Sequence, residues 1–409
     1  MNKVNKKALN YFFLAFMACF TVFMLGEITS RTLATWTGES GYALYCLPLF
    51  YAIMAAYWLL VIKSFSSVHT SPVPLFQVLV LVAYAVSLCW LENGSFPNRS
   101  DFLRIPLPLL AIGFAYSMAM RMKDTRWIAP ATFVVLVMMV VRAIQSRQIF
   151  LDYRHLDEGV SAGCYYPLYF LPVVLASHRR WVRLSGIALV MVAVVQSAKR
   201  GGLVAFLLGL AAYMLCRPLV ANAGRKKFRK FATLTIMALV LTGIFADRVM
   251  NSDLLIVERM TEIEQTGGSG RTLIWQTTMR MVDESPIWNW FAGHGWNTVI
   301  KDSPLMCSAH NDPLEIMYDL GVFVLLLYLF LHAQIIRRCI VMTRQHSRYA
   351  PAMACSYGLF LVNSLVSHVF LYTSYLLVFA VVWGMLIGLY DRERAARRGE
   401  EEGFGAQVA

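Results

Sequence analysis

Lys199 and Arg200 stand side by side in VVQSAKRGGLVAFLLG, where apolar sequence runs up to the pair and resumes at Leu203. A guanidinium is a planar fork that gives two parallel hydrogen bonds to phosphate oxygens and keeps its charge at every physiological pH. An arginine at a membrane edge is therefore suited to gripping an anionic lipid headgroup, although snorkelling to the interface is the plainer role. Arg271 follows GGSG and opens a stretch in which Leu273, Ile274, Trp275, Thr278, Met279 and Val282 recur at helical spacing. A helix beginning there presents free backbone N–H groups and a partial positive charge, an anion site that Arg271 would reinforce. His310, in CSAHNDPLEIMYDLG, supplies an imidazole that titrates near neutral pH and can take a proton from an attacking hydroxyl. Asn311, Asp312 and Glu315 are near enough in sequence to orient that ring, and the sequence does not choose among them. His294, in FAGHGWN, is the second imidazole of the same region.

Other chemistries are poorly served. His310, Asp312 and Glu315 fall at i, i+2 and i+5, a spacing that common metal sites do not use. The 8 cysteines are scattered without a CxxC pair and read mostly as small buried hydrophobes. Cys164 and Cys307 fall near one face and are the one pair placed to bridge. A serine nucleophile needs a strand-to-helix elbow that this chain lacks. No metal or other cofactor is expected.

These residues must be held by an unusually apolar chain. Hydrophobic residues make up 58% of the 409 and charged ones 15%, with a mean hydropathy of +0.55. A soluble domain would carry about 25% charged residues, so the expectation is an all-α polytopic membrane protein. Spans of roughly 17–25 residues are predicted at 8–28, 42–62, 74–91, 105–120, 127–146, 162–177, 182–198, 201–216, 231–247, 319–336, 351–367 and 373–390. These twelve form a single transmembrane bundle over 1–390, interrupted by one large loop at 248–318 that holds short interfacial helices. A solvated tail, expected to be irregular, occupies 391–409.

Orientation follows from lysine and arginine in the short connections. Every second connection is basic, and together they hold about 24 of the 37 basic residues against about 6 of the 24 acidic ones. Both termini are expected in the cytoplasm, with Lys199–Gly202 and the loop 248–318 on the extracytoplasmic side. The loop 147–161, with Arg147, Arg154, Asp157 and Glu158, lies on that side too and could close over a ligand. The net charge of +13 is thereby explained as a topology signal, and nucleic acid is not an expected partner.

Three segments, SAKRGGL, GRTLIW and AHNDPLEIMYDLGVF, with FAGHGWN between the last two, resemble the O-antigen ligase and polymerase superfamily in order and in predicted side. The motifs cover roughly 195–335. The resemblance implies a GT-C-type membrane glycosyltransferase on the periplasmic face of a bacterial inner membrane. Its donor would be a glycan on undecaprenyl pyrophosphate, its acceptor lipid A-core or another glycan, and its activity metal-independent. By the same resemblance Arg200 and Arg271 hold the pyrophosphate and His310 is the catalytic base. Lys199, the weaker member of the basic pair, and His294, the understudy imidazole, are further substrate contacts expected from the residues themselves. A ligase is preferred over a polymerase because one sizeable outer loop ends in the histidine motif. A transporter or flippase of an anionic lipid-linked substrate is the alternative from another class. It would call for charged or broken segments at mid-span, and the span centres are nearly free of charge.

Overall fold

The structure, a computed structural model, describes residues 6–37, 43–61, 72–90, 104–122, 128–154, 160–221 and 270–408. Over these it is all-helical. In chain order the helices are α1 (Lys6–Thr37), α2 (Ala43–Val61), α3 (Pro72–Cys89), α4 (Pro106–Arg121), α5 (Ile128–Arg154), α6 (Tyr165–Leu175) and α7 (Arg180–Gln196). They continue with α8 (Arg200–Val220), α9 (Arg271–Asp283), α10 (Ile287–Ala292), α11 (Thr298–Asp302), α12 (Asp312–Arg344), α13 (Ala350–Val366) and α14 (Thr373–Val408). The predicted span 231–247, loop residues 248–269, and Asp157 and Glu158 lie outside the described residues. Each of the other predicted spans falls on a helix.

Among the described residues six helices are long and apolar enough to cross a membrane, over Leu9–Thr29, Pro72–Cys89, Ile128–Ile149, Arg200–Val220, Asp312–Arg344 and Thr373–Arg397. Twelve were expected. Part of the difference is helix length: α6 has 11 residues, about 16 Å at 1.5 Å per residue, against a hydrocarbon core of about 30 Å. It is nonetheless buried at every position, so it works as a packed core helix.

α14 is the axis of the bundle. Its residues from Ser374 to Tyr390 are all buried, as expected of a helix apolar all round. It approaches α4 closely because Gly384 and Gly388 present bare backbone to Ala115 and Ala119 of α4; a Cβ on either glycine would lie 2.5 Å from Ile112 O or 2.4 Å from Tyr116 O. This is small-residue packing of the kind that lets membrane helices touch at the backbone. Helix α14 then continues through the segment expected to be an irregular tail. Arg338 pairs with Asp391, Ser347 Oγ donates to Glu393 at 2.8 Å, and Arg397 pairs with Glu393 one turn away at 2.7 Å. These anchors, in a run of strong helix formers, keep the helix going past the apolar core.

The expected outer loop contains α9, α10 and α11, packed against the N-terminal part of α12. Their docking depends on two glycines in a backbone region that is essentially closed to other residues. Gly321 breaks α12 with φ 80°, ψ 175°, and Gly293 ends α10 with φ 67°, ψ −163°. The two interlock: a Cβ on Gly293 would sit 2.2 Å from Asp319 O, and one on Gly321 2.3 Å from Phe291 O. Gly321→Ala is expected to destabilise the protein by at least the roughly 1–3 kcal/mol of backbone strain, with the clash in addition. A fall in the thermal midpoint of the detergent-solubilised variant checks this; an unchanged midpoint would mean that the kink relaxes freely.

Candidate functional site

Three helix starts bear the basic and imidazole residues singled out in the sequence. Arg200 is the first residue of α8, with Lys199 at its N-cap. Arg271 is the first residue of α9, whose N-cap, Gly270, has a left-handed φ of 77°. His310 precedes Asn311, the N-cap of α12, which accepts from Leu314 N at 3.1 Å. Each helix start contributes unpaired N–H groups and a partial positive charge to its surroundings.

In the turn into α8 the left-handed residue is Ala198, with φ 53°, and neither Gly201 nor Gly202. The glycines lie inside α8 and serve close packing: a Cβ on Gly201 would be 3.1 Å from Tyr165 Oη, and one on Gly202 3.4 Å from Cys164 Sγ. Tyr165 thereby sits beside the start of α8, close enough to Arg271 for their electrostatics to couple. Cys164 and Cys307 are both free thiols, so the considered bridge does not form.

Arg271 and His310 are tied together by Trp275. One turn after Arg271, its indole Nε1 donates to Ala309 O at 2.9 Å, next to His310. Burial pushes the His310 imidazole down to about 4, and the charges of Arg271 and Lys199 push in the same direction. Burial likewise lowers Arg271, partly offset by Tyr165, while the charge of Arg200 lowers it further. Lys199, Arg200, Arg271 and His310 therefore share one electrostatic neighbourhood. The charges of Arg200 and Arg271 oppose each other, a strain that an anion would relieve, and beside them stands an imidazole that is neutral at pH 7.

His294 does not join them. Its Nδ1 lies 3.0 Å from Tyr318 O, its Nε2 3.3 Å from Ser285 Oγ, and its ring stacks on Tyr318 at 4.0 Å. Its Nδ1 thus ties the end of α10 to α12, and its Nε2 meets the turn between α9 and α10. The GHGWN turn is further held by Asp319, whose carboxylate accepts from Asn297 N at 2.8 Å, Thr298 Oγ1 at 2.8 Å and Val299 N at 2.9 Å.

The three candidates for orienting His310 have separate tasks. Asn311 caps α12 and donates to Leu365 O at 3.1 Å. Asp312, fully buried, accepts from Val369 N at 2.8 Å, Phe370 N at 3.2 Å and Tyr328 Oη at 3.0 Å, which pins the connection between α13 and α14. Glu315 faces another histidine: its Oε2 lies 3.7 Å from His368 Nδ1, and Ser308 Oγ is 3.2 Å from the same nitrogen. His368 in turn stacks between His310, at a centroid distance of 4.9 Å, and Tyr372, at 3.9 Å. No motif in the sequence singles out His368. It lies 58 residues beyond His310, and only the fold stacks the two rings.

Residues 185–329 match the protein family described as O-antigen ligase. The segment includes Lys199, Arg200, Arg271, His294 and His310. No curated protein matches the chain.

Proposed function

From the O-antigen ligase domain at residues 185–329 as premise, we propose that this protein is a periplasmic-face glycosyltransferase of a bacterial inner membrane. It takes a glycan from an undecaprenyl-pyrophosphate donor and transfers it to a sugar hydroxyl of lipid A-core, with inversion and without a metal. Both termini lie in the cytoplasm. The observation that carries the reading is the meeting of Arg271 and Lys199 with an imidazole whose protonation they oppose, with the charge of Arg200 acting on Arg271.

In the proposed step the acceptor hydroxyl oxygen forms a bond to the anomeric carbon while the bond from that carbon to the pyrophosphate oxygen breaks. The hydroxyl proton passes to a ring nitrogen of His310. The bonding pair leaves with undecaprenyl pyrophosphate, whose added negative charge Arg200, Arg271 and Lys199 stabilise. Such stabilisation accelerates the reaction because it is stronger in the transition state than in the ground state. Apolar residues outside the cluster suit the polyprenyl tail. Leu273 at 57% exposed and Trp288 at 73% suit contact with the bilayer interface, where tryptophan is enriched.

An imidazole held down to about 4 is available as a base at neutral pH but is a weak one. Binding of an anionic donor offsets the cations and raises its affinity for a proton. The acid limb of kcat/KM, which reports the free enzyme, is therefore expected well below pH 6.5, near the value of about 4. The limb of kcat, which reports the complex, is expected at higher pH. Coincident limbs near 6.5 would show that His310 does not feel these charges.

The functional test is the lipopolysaccharide pattern of a deletion strain. Loss of long chains with accumulation of lipid-linked polymer supports ligation to lipid A-core. Core bearing a single repeat unit shows polymerase activity instead, and unchanged long chains overturn both.

A further inference from the structure

Arg142 is an exception to the expectation of uncharged span centres. It lies inside the apolar segment Ile128–Ile149 of α5, two turns before Ile149, or about 10 Å along the axis. Its hydrogen bond is from Nε to Thr29 Oγ1 of α1 at 2.7 Å, and Thr29 itself donates to Leu25 O at 2.8 Å. Among the described residues no carboxylate lies within ion-pair distance of Arg142; nearby Glu27 is taken by Arg104 at 2.8 Å. Arg142 and Gln145 line a groove of about 470 Å³ between α1 and α5, with Thr29 opposite. The rest is aliphatic and half open: Val22 is 49% exposed, Met138 43% and Val141 46%. A volume of this size is that of a small-molecule site.

A guanidinium in a hydrocarbon setting is costly without an anion, and such residues are functional candidates by default. The polar mouth also lies at the level of the candidate site. A Cβ on Gly163 would touch Ile28 Cγ2 at 3.3 Å and Ala143 Cα at 3.5 Å, and Gly163 is two residues from Tyr165, which packs on the start of α8. We propose that the groove between α1 and α5 binds one anionic glycerophospholipid, its phosphate on the Arg142 terminal nitrogens and one acyl chain along Val22, Met138 and Val141. An anionic headgroup neutralises the single guanidinium, whereas a zwitterionic lipid brings an ammonium that competes for the same phosphate. The half-open wall suits a lipid that keeps its second chain in the bilayer. This site is independent of the transferase reading.

The test uses the full-length protein in nanodiscs of phosphatidylcholine with a minor share of phosphatidylglycerol, re-extracted in mild detergent and weighed by native mass spectrometry. Wild type is expected to retain one phosphatidylglycerol in preference to phosphatidylcholine. Arg142→Gln should reduce that preference roughly tenfold, as loss of one charge-assisted hydrogen-bonding group would. Met138→Trp, which fills the groove and leaves Arg142 intact, should lose the lipid as well, and it carries the test if Arg142→Gln does not fold. Retention by either folded variant at the wild-type level overturns the proposal, as does equal binding of the two lipids by wild type. Displacement of phosphatidylglycerol by added undecaprenyl phosphate overturns the choice of occupant.

Discussion

His310→Ala is expected to lower glycan transfer by roughly 10²–10⁴, the usual contribution of a positioned general base, while the protein still inserts and folds. The residue is only partly buried, so its loss leaves no large core cavity. The backbone at this position is left-handed, with φ 51°, and histidine tolerates that region better than most residues. Alanine therefore carries a modest strain cost, and His310→Asn, also at ease at positive φ, is the better control for folding. Both variants should lose transfer equally in a reconstituted assay with lipid-linked donor and purified acceptor. Transfer at wild-type rate by either one would remove His310 from the role of base.

Arg271→Lys should impair transfer by about tenfold or more although the charge is retained. A fork that can engage two phosphate oxygens is replaced by a point charge on a flexible stem, and the helix start fixes where that fork begins. Arg271→Gln should fall further, toward the 10²–10³ cost of removing a transition-state donor. Because Arg200 and Arg271 repel each other before donor binds, neither substitution is expected to lower thermal stability, which separates a binding defect from misfolding. Full activity of the lysine variant would mean that simple charge is sufficient and that the paired hydrogen bonds are not formed.

Much of the site was readable because its residues follow local rules. A basic pair abutting apolar sequence, an arginine directly after glycines and a histidine before an Asn-Asp-Pro helix start are all visible within a few residues. The family match over 185–329 contains these positions. What could not be read was which partner each polar group takes. Glu315 was a candidate to orient His310 and instead faces His368, because α12 turns that side chain toward the connection between α13 and α14. Asp312 was another candidate and instead holds the backbone of Val369 and Phe370. His294 has one ring nitrogen against Tyr318 O of α12 and the other against Ser285 Oγ before α10, partners that its local motif does not reveal.

The sequence by itself determined the class of molecule and, among the described residues, where its apolar helices fall, since apolar runs of this length must be helical where backbone groups find no water. It also determined which residues bear charge beside the apolar runs, because a cation there is costly unless it has a task. Only the tertiary structure decided that Ala198 rather than a glycine makes the turn into α8, that Gly293 and Gly321 interlock, and that His368 stacks on His310. Those outcomes depend on contacts between segments tens to hundreds of residues apart, and hydropathy and local spacing carry no information about which helix faces which.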